Sequence, residues 1–132
     1  MLEYMLDTDT CIYVLKNRPP GLRERFNRLA EQLCISTITL AELSYGTEKS
    51  SRRDENRRGV DGFAARLDVL PFSAEAALHY GQVRAELERS GRPAGAHDML
   101  IGAHARSAGL IIVTNNVREF ERIPGLRVEN WV

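Results

Sequence analysis

No run of apolar residues in this chain approaches the roughly 20 needed to span a bilayer as a helix. The opening residues, Met1-Leu2-Glu3-Tyr4, lack a basic start and a long apolar stretch, so no secretory signal is expected and a cytoplasmic location is. Cysteine is scarce: Cys11 and Cys34 are the only two, at no metal-type spacing, and read as reduced core residues rather than a zinc site or disulfide framework. Charge of one sign is not in excess either, since 18 Lys+Arg balance 18 Asp+Glu. Total charge therefore neither favours nor disfavours a nucleic-acid partner. There is no internal repeat, no low-complexity tract and no interdomain linker. At 132 residues the chain suits one core, and a single domain spanning 1–132 is expected.

Apolar runs rich in β-branched residues alternate with segments of helical period. Strands are predicted at 3–6, 33–36, 68–70, 110–114 and 127–131. Helices are predicted at 8–16, 21–31 and 39–49, over a segment carrying Val60, Phe63, Ala64 and Leu67, and at 73–89, 96–108 and 117–121. Pro19-Pro20, Pro71 and Gly91-Arg92-Pro93-Ala94-Gly95 are the breaks. Strands alternating with helices imply an α/β fold: a three-layer sandwich with a central parallel sheet and helices on both faces.

Four acids stand where this chain leaves strands or enters helices: Asp7, Glu42, Asp98 and Glu119. In an open α/β sheet, ligands bind outside the carboxyl ends of the strands. Carboxylates gathered there repel one another unless a cation holds them, which points to a divalent metal. Each acid also has a plain structural account. Asp7 suits the N-cap of the first helix, and Glu42 completes a capping box from Thr39. Asp98 suits a first helical turn, and Glu119 an exposed surface.

The segments Leu6-Asp7-Thr8-Asp9, Ser36-Thr37-Ile38-Thr39-Leu40-Ala41-Glu42-Leu43, His97-Asp98-Met99-Leu100-Ile101-Gly102-Ala103-His104-Ala105 and Val113-Thr114-Asn115-Asn116-Val117-Arg118-Glu119-Phe120 together resemble a PIN-domain ribonuclease of the VapC toxin type. The resemblance covers the whole chain in order. The ending from Phe120 to Trp131 is similar to an enteric subgroup that cuts initiator tRNA in its anticodon stem-loop. One departure stands out: the family usually has Asn where this chain has Asp9.

The resemblance implies a toxin of a type II toxin–antitoxin system that inhibits translation by cleaving RNA. It also implies a VapB-type antitoxin partner and self-pairing as a homodimer. The apolar surface of Ile12, Leu15, Leu22 and Phe26, with the helix near Phe63, is the expected docking groove. Mg²⁺, with Mn²⁺ as an alternative, would be held through Asp7 and Asp98, with Glu42 and Glu119 binding a second ion or its waters. Thr114 and Asn116 would hydrogen-bond waters or carboxylates. Thr8 starts a helix, where backbone N–H groups favour phosphate. His97 is expected to be a surface or substrate contact.

Basic residues cluster at Lys16, Arg18, Arg23, Arg25 and Arg28, and again at Lys49, Arg52, Arg53, Arg57 and Arg58. They read either as solvated helix faces or as a phosphate-contacting rim, with Arg23, Arg25, Arg52 and Arg53 as candidate RNA contacts. Two rival readings remain. Asp7-Thr8-Asp9-Thr10 also resembles the first motif of haloacid-dehalogenase phosphatases, with Asp7 as nucleophile. That chemistry needs a later lysine, and none follows Lys49. The other rival is a PIN fold kept only for binding.

Overall fold

Five short strands, β1 (Tyr4–Leu6), β2 (Leu33–Ser36), β3 (Asp68–Leu70), β4 (Ile111–Val113) and β5 (Val128–Glu129), form one sheet in the order β3-β2-β1-β4-β5 in the computed structural model, which describes residues 1–132. Every pairing is parallel. A parallel sheet is covered on both faces, which is why its strands read as continuous apolar runs. The two-residue period of the strands still sorts their side chains by face. Leu6, Ile35 and Val113 point to one core, with Cys11, Val14, Phe26, Phe63 and Trp131. Met5, Cys34 and Ile112 point to the other, with Val83, Leu87, Ile101 and Phe120.

The first core is roofed by α1 (Thr8–Lys16), α2 (Leu22–Leu29), α3 (Thr37–Glu48) and α4 (Arg53–Ala64). The second is roofed by α5 (Ala74–Arg89), α6 (Ala96–Ser107) and the short α7 (Val117–Phe120). This is the expected α/β sandwich. No helix is long and apolar enough to cross a membrane. Both cysteines are free and buried. Burial, first among the causes, pushes the Cys34 thiol up to about 12 and the Cys11 thiol well above its usual value.

Boundaries differ from the predicted ones for local reasons. Helix α3 starts at Thr37, not Thr39, because Ser36 Oγ accepts from the Ile38 N–H at 3.0 Å and is the cap. Glu42 therefore lies in the second turn, and no capping box with Thr39 forms. Helix α2 stops at Leu29 and tightens into a 3₁₀ turn, Ala30–Gln32. Strand β4 loses Leu110, whose N–H bonds back to the Ala105 carbonyl at 2.9 Å. Gly109, at φ +69°, makes that helix ending feasible. The last strand shrinks to Val128–Glu129.

The chain lays β2 and β3 on one side of β1, then β4 and β5 on the other. The order reverses between β1 and β4, and the crevice beyond their carboxyl ends is the position where open α/β sheets bind ligands. Asp7 follows β1 and Thr114 follows β4 at that crevice.

Candidate active site

Asp7 is 2% exposed and both of its oxygens are engaged. Oδ1 accepts from the Thr10 N–H at 2.8 Å, and Oδ2 from the Thr114 hydroxyl at 2.5 Å. So Asp7 does cap α1, and it also faces the crevice. Burial pushes its carboxyl above the usual range, the hydrogen bonds from Thr114 and Thr10 pull it back, and the charge of Asp9 adds to the rise. Asp9 thus bears on the site through its charge.

Glu42 reaches the same crevice from α3. Its Oε1 accepts from the Thr8 hydroxyl at 2.5 Å, and its Oε2 lies 2.8 Å from His97 Nδ1. Thr8 is therefore committed to a carboxylate, and His97 to holding Glu42 at an exposed rim. Asp98 stands in the first turn of α6, half-buried. Its carboxyl is pushed up to about 7, by burial first, then by the charge and hydrogen bond of Glu119, then by the charges of Asp7 and Glu42. All four predicted acids thus act on one point.

Glu119 moves the opposite way. Burial opposes its ionisation, but hydrogen bonds from the Gly95 N–H, Asn116 and Asp98, with the nearby Arg122 charge, hold its carboxyl below the usual range. Gly95 N lies 2.5 Å from Oε1, and Asn116 Nδ2 lies 2.7 Å from Oε2. The two neighbouring carboxyls are thus pushed apart, Asp98 upward and Glu119 downward. Thr114 serves twice, since its Oγ1 also accepts from the Asn116 N–H at 2.8 Å.

The donor set is oxygen only, with its negative charge incompletely offset, which fits a hard divalent cation. No three of the side chains are arranged to cage an ion unaided. Asp7 and Asp98 are the two positioned deepest in the crevice.

Two contributors carry no signal that sequence reasoning picked up. Gly95, read only as part of a break, supplies a backbone donor. Ser36 Oγ, besides capping α3, lies 2.8 Å from His104 Nδ1. Burial holds the His104 ring below its ordinary pKa. This contact ties α6 to the end of β2.

None of the candidate RNA-contacting arginines is hydrogen-bonded or ion-paired to the four acids. Arg23 donates to the carbonyls of Val14 and Leu15 at the far end of α1. Arg25 pairs with Glu129 at 3.4 Å and lies 4.4 Å over the Trp131 ring. Arg52 pairs with Glu55 at 3.7 Å, and Arg53 opens α4 exposed. Of the expected docking surface, Leu22 and Phe26 are core residues at 3% and 1% exposed. A recess of about 390 Å³ remains between α1, α2 and α4, floored by Val14, Leu15, Phe26 and Phe63.

The family profile described as PIN domain matches residues 4–126. The chain belongs to the PIN-domain family. Among its relatives, the tRNA(fMet)-specific endonuclease VapC of Salmonella typhimurium is 56% identical over 131 residues, 99% of each chain. Ribonuclease VapC2 of Haemophilus influenzae is 50% identical over 132 residues, the whole of both. The solved structure of DNA-bound VapBC from Salmonella typhimurium includes a chain of the same length and fold, at TM-score 0.96 and 55% identity with full coverage. VapBC2 of Rickettsia felis, bound to a promoter DNA fragment, follows at TM-score 0.93 and 41% identity. This chain is thus a PIN-domain protein of the VapC ribonuclease type, and the haloacid-dehalogenase reading falls away.

Proposed function

We propose that residues 1–132 form one PIN nuclease domain, a divalent-metal-dependent endoribonuclease toxin that cuts initiator tRNA and stalls translation. One observation carries the reading: the Asp98 carboxyl sits among Asp7, Glu42 and Glu119 at the crevice where the strand order reverses. Asp7 and Asp98 would hold Mg²⁺ or Mn²⁺, with Glu42 and Glu119 placed to bind its waters or a second ion. Bound there, the ion would offset charge growing on a phosphodiester and make water a better nucleophile.

The protein's own part is positioning and proton handling. Thr10 and Thr114 fix the Asp7 carboxylate, Thr8 and His97 fix Glu42, and Gly95 and Asn116 fix Glu119. A cation bound at the crevice would offset the repulsion that raises the Asp98 carboxyl. The target follows the 56%-identical relatives, whose names state tRNA(fMet) specificity. Cleavage of a tRNA set, with and without EDTA, tests the reading. A single cut in initiator tRNA that disappears with EDTA, and in D7N or D98N, is expected. Full activity in EDTA or in either variant overturns it.

The partner is a VapB-type antitoxin, as in the VapBC neighbours. The recess over Val14, Leu15, Phe26 and Phe63, rimmed by Arg23, Arg58 and Arg66, suits an amphipathic segment carrying acidic residues. A homodimer is expected beneath that complex. Co-purification and light scattering check both, and a monodisperse monomer that ignores the co-encoded protein contradicts them.

A further inference from the structure

Arg92, Arg118 and Arg122 line a recess of about 490 Å³, completed by Gly91 and Pro93, with no acidic side chain in its wall. Three of its five residues are arginines on a chain of zero net charge, so the cationic density is local. The recess adjoins the acids. Arg118 is the residue before Glu119. Pro93 lies two residues before Gly95, whose N–H holds Glu119. Arg122 Nη1 donates to the Pro93 carbonyl at 2.7 Å, which pins the α5–α6 loop onto α7 and fixes the floor.

The remaining two guanidinium groups are uncommitted. Arg84 and Arg89 on α5 are paired with Glu88 and Glu86, Arg57 with Glu48, and Arg25 with Glu129. Arg92 and Arg118 form no ion pair, and both are exposed. An arginine fork suits phosphate oxygens, and its charge is most useful where no carboxylate already neutralises it. Cations flanking a polyanion-cleaving centre serve to set the register of the backbone.

We propose that this recess is a backbone subsite: Arg92 and Arg118 grip a phosphate of the RNA strand next to the one at the acids, and so set which bond is presented. The subsite rests on the ribonuclease reading above. It places the RNA path over α7 and the α5–α6 loop, rather than over α2 and the start of α4.

The test uses the double variant R92A/R118A. The charge-matched control R84A/R89A removes two arginines already paired on α5. Binding of a metal-free anticodon stem-loop RNA is measured by fluorescence anisotropy across NaCl concentrations, and cleavage separately with Mg²⁺. Each phosphate contact contributes about 0.7 to the salt slope on single strands, so losing the one held by this pair should flatten it by about 0.7. The same variant should raise KM more than it lowers kcat, while the control matches the parent. A slope equal to the parent's overturns the subsite. So does loss of antitoxin binding with RNA binding intact, which would make the recess a protein contact. Failure of the parent to cleave any RNA would instead sink the ribonuclease reading, and the binding slopes would still judge the recess.

Discussion

Thr114 donates its hydroxyl to Oδ2 of Asp7 at 2.5 Å, joining residues 107 apart in sequence where β1 and β4 end side by side. The bond closes the crevice at the point of strand-order reversal, and it opposes the effect of burial on the Asp7 carboxyl. T114V keeps the shape and removes the donor. The Asp7 carboxyl should then rise further, moving the acid limb of the pH–rate profile to higher pH. Leaving a buried carboxylate oxygen short of a donor should also cost about 1–3 kcal/mol. D9N removes the neighbouring charge that raises Asp7, so its acid limb should move to lower pH. Profiles for both variants check the pair of signs. Unmoved profiles would mean that Asp7 does not titrate in the rate-determining step.

Neutralising Asp98 should abolish cleavage and strengthen the fold. A carboxyl whose folded pKa is raised contributes stability that is fully present below its unfolded pKa and is lost progressively as pH rises through the folded value. Asp98 is raised to about 7, against about 3.9 unfolded. In EDTA, D98N and the parent should therefore melt together near pH 4. The variant should gain progressively up to about pH 7 and hold a constant lead above it. D7N should lead in the same direction. Added Mg²⁺ should raise the melting temperature of the parent more than that of either variant. A D98N that melts lower than the parent at pH 8 would show that the carboxylate is a structural necessity.

How far this was legible before folding depended on the kind of group involved. Leu33-Cys34-Ile35-Ser36 is a fully buried strand and reads as one, because a parallel sheet leaves no polar face to confuse the pattern. The helix from Thr8 to Lys16 reads correctly because Asp7 precedes it as a cap and Pro19 lies beyond it. The start of α3 was less clear, since Ser36 and Thr39 are both capping hydroxyls, and in the fold it is Ser36 that accepts from the Ile38 N–H. The four acids were visible as residue types after strands, but their supports were partly invisible. A backbone donor such as the Gly95 N–H has no side-chain signature. Arg23 and Arg25 look like any solvated basic face until α1 and Trp131 are folded against them.

Asn116 and Glu119 both follow β4, three residues apart, and the structure joins them. Asn116 Nδ2 donates to Glu119 Oε2 at 2.7 Å. Glu119 carries the charge that bears on Asp98, while Asn116 orients it. E119Q should cost more activity than N116A, with part of the deficit recovered at high Mg²⁺ if the loss lies in ion affinity. Because both residues act on one carboxylate, the double variant should be no worse than E119Q by more than a few-fold. Steady-state kinetics across Mg²⁺ concentrations decide the matter. An N116A more damaging than E119Q would reassign the site to three acids and an amide.

Gly95 offers the sharpest separation of site geometry from stability. A Cβ there would stand 3.2 Å from Glu119 Oε1 and 3.7 Å from Asp98 Oδ2, with no other heavy atom named within 4 Å. Its backbone, at φ −59°, is one that alanine adopts freely. Helix α6 should therefore tolerate G95A, and melting should change little. The methyl group would instead push the Glu119 carboxylate away from the Gly95 N–H, lengthening a charge-assisted bond worth about 1.5–3 kcal/mol when fully made. Losing part of it should lower kcat by about ten-fold, since 1.4 kcal/mol corresponds to a factor of ten. It should also weaken the Gly95 bond that holds the Glu119 carboxyl low, so the acid limb of the pH–rate profile should shift, while the melting temperature falls by no more than that one bond accounts for. Wild-type kinetics in G95A would mean that Glu119 finds another donor and that the loop from Gly91 to Gly95 serves the site only as a connection.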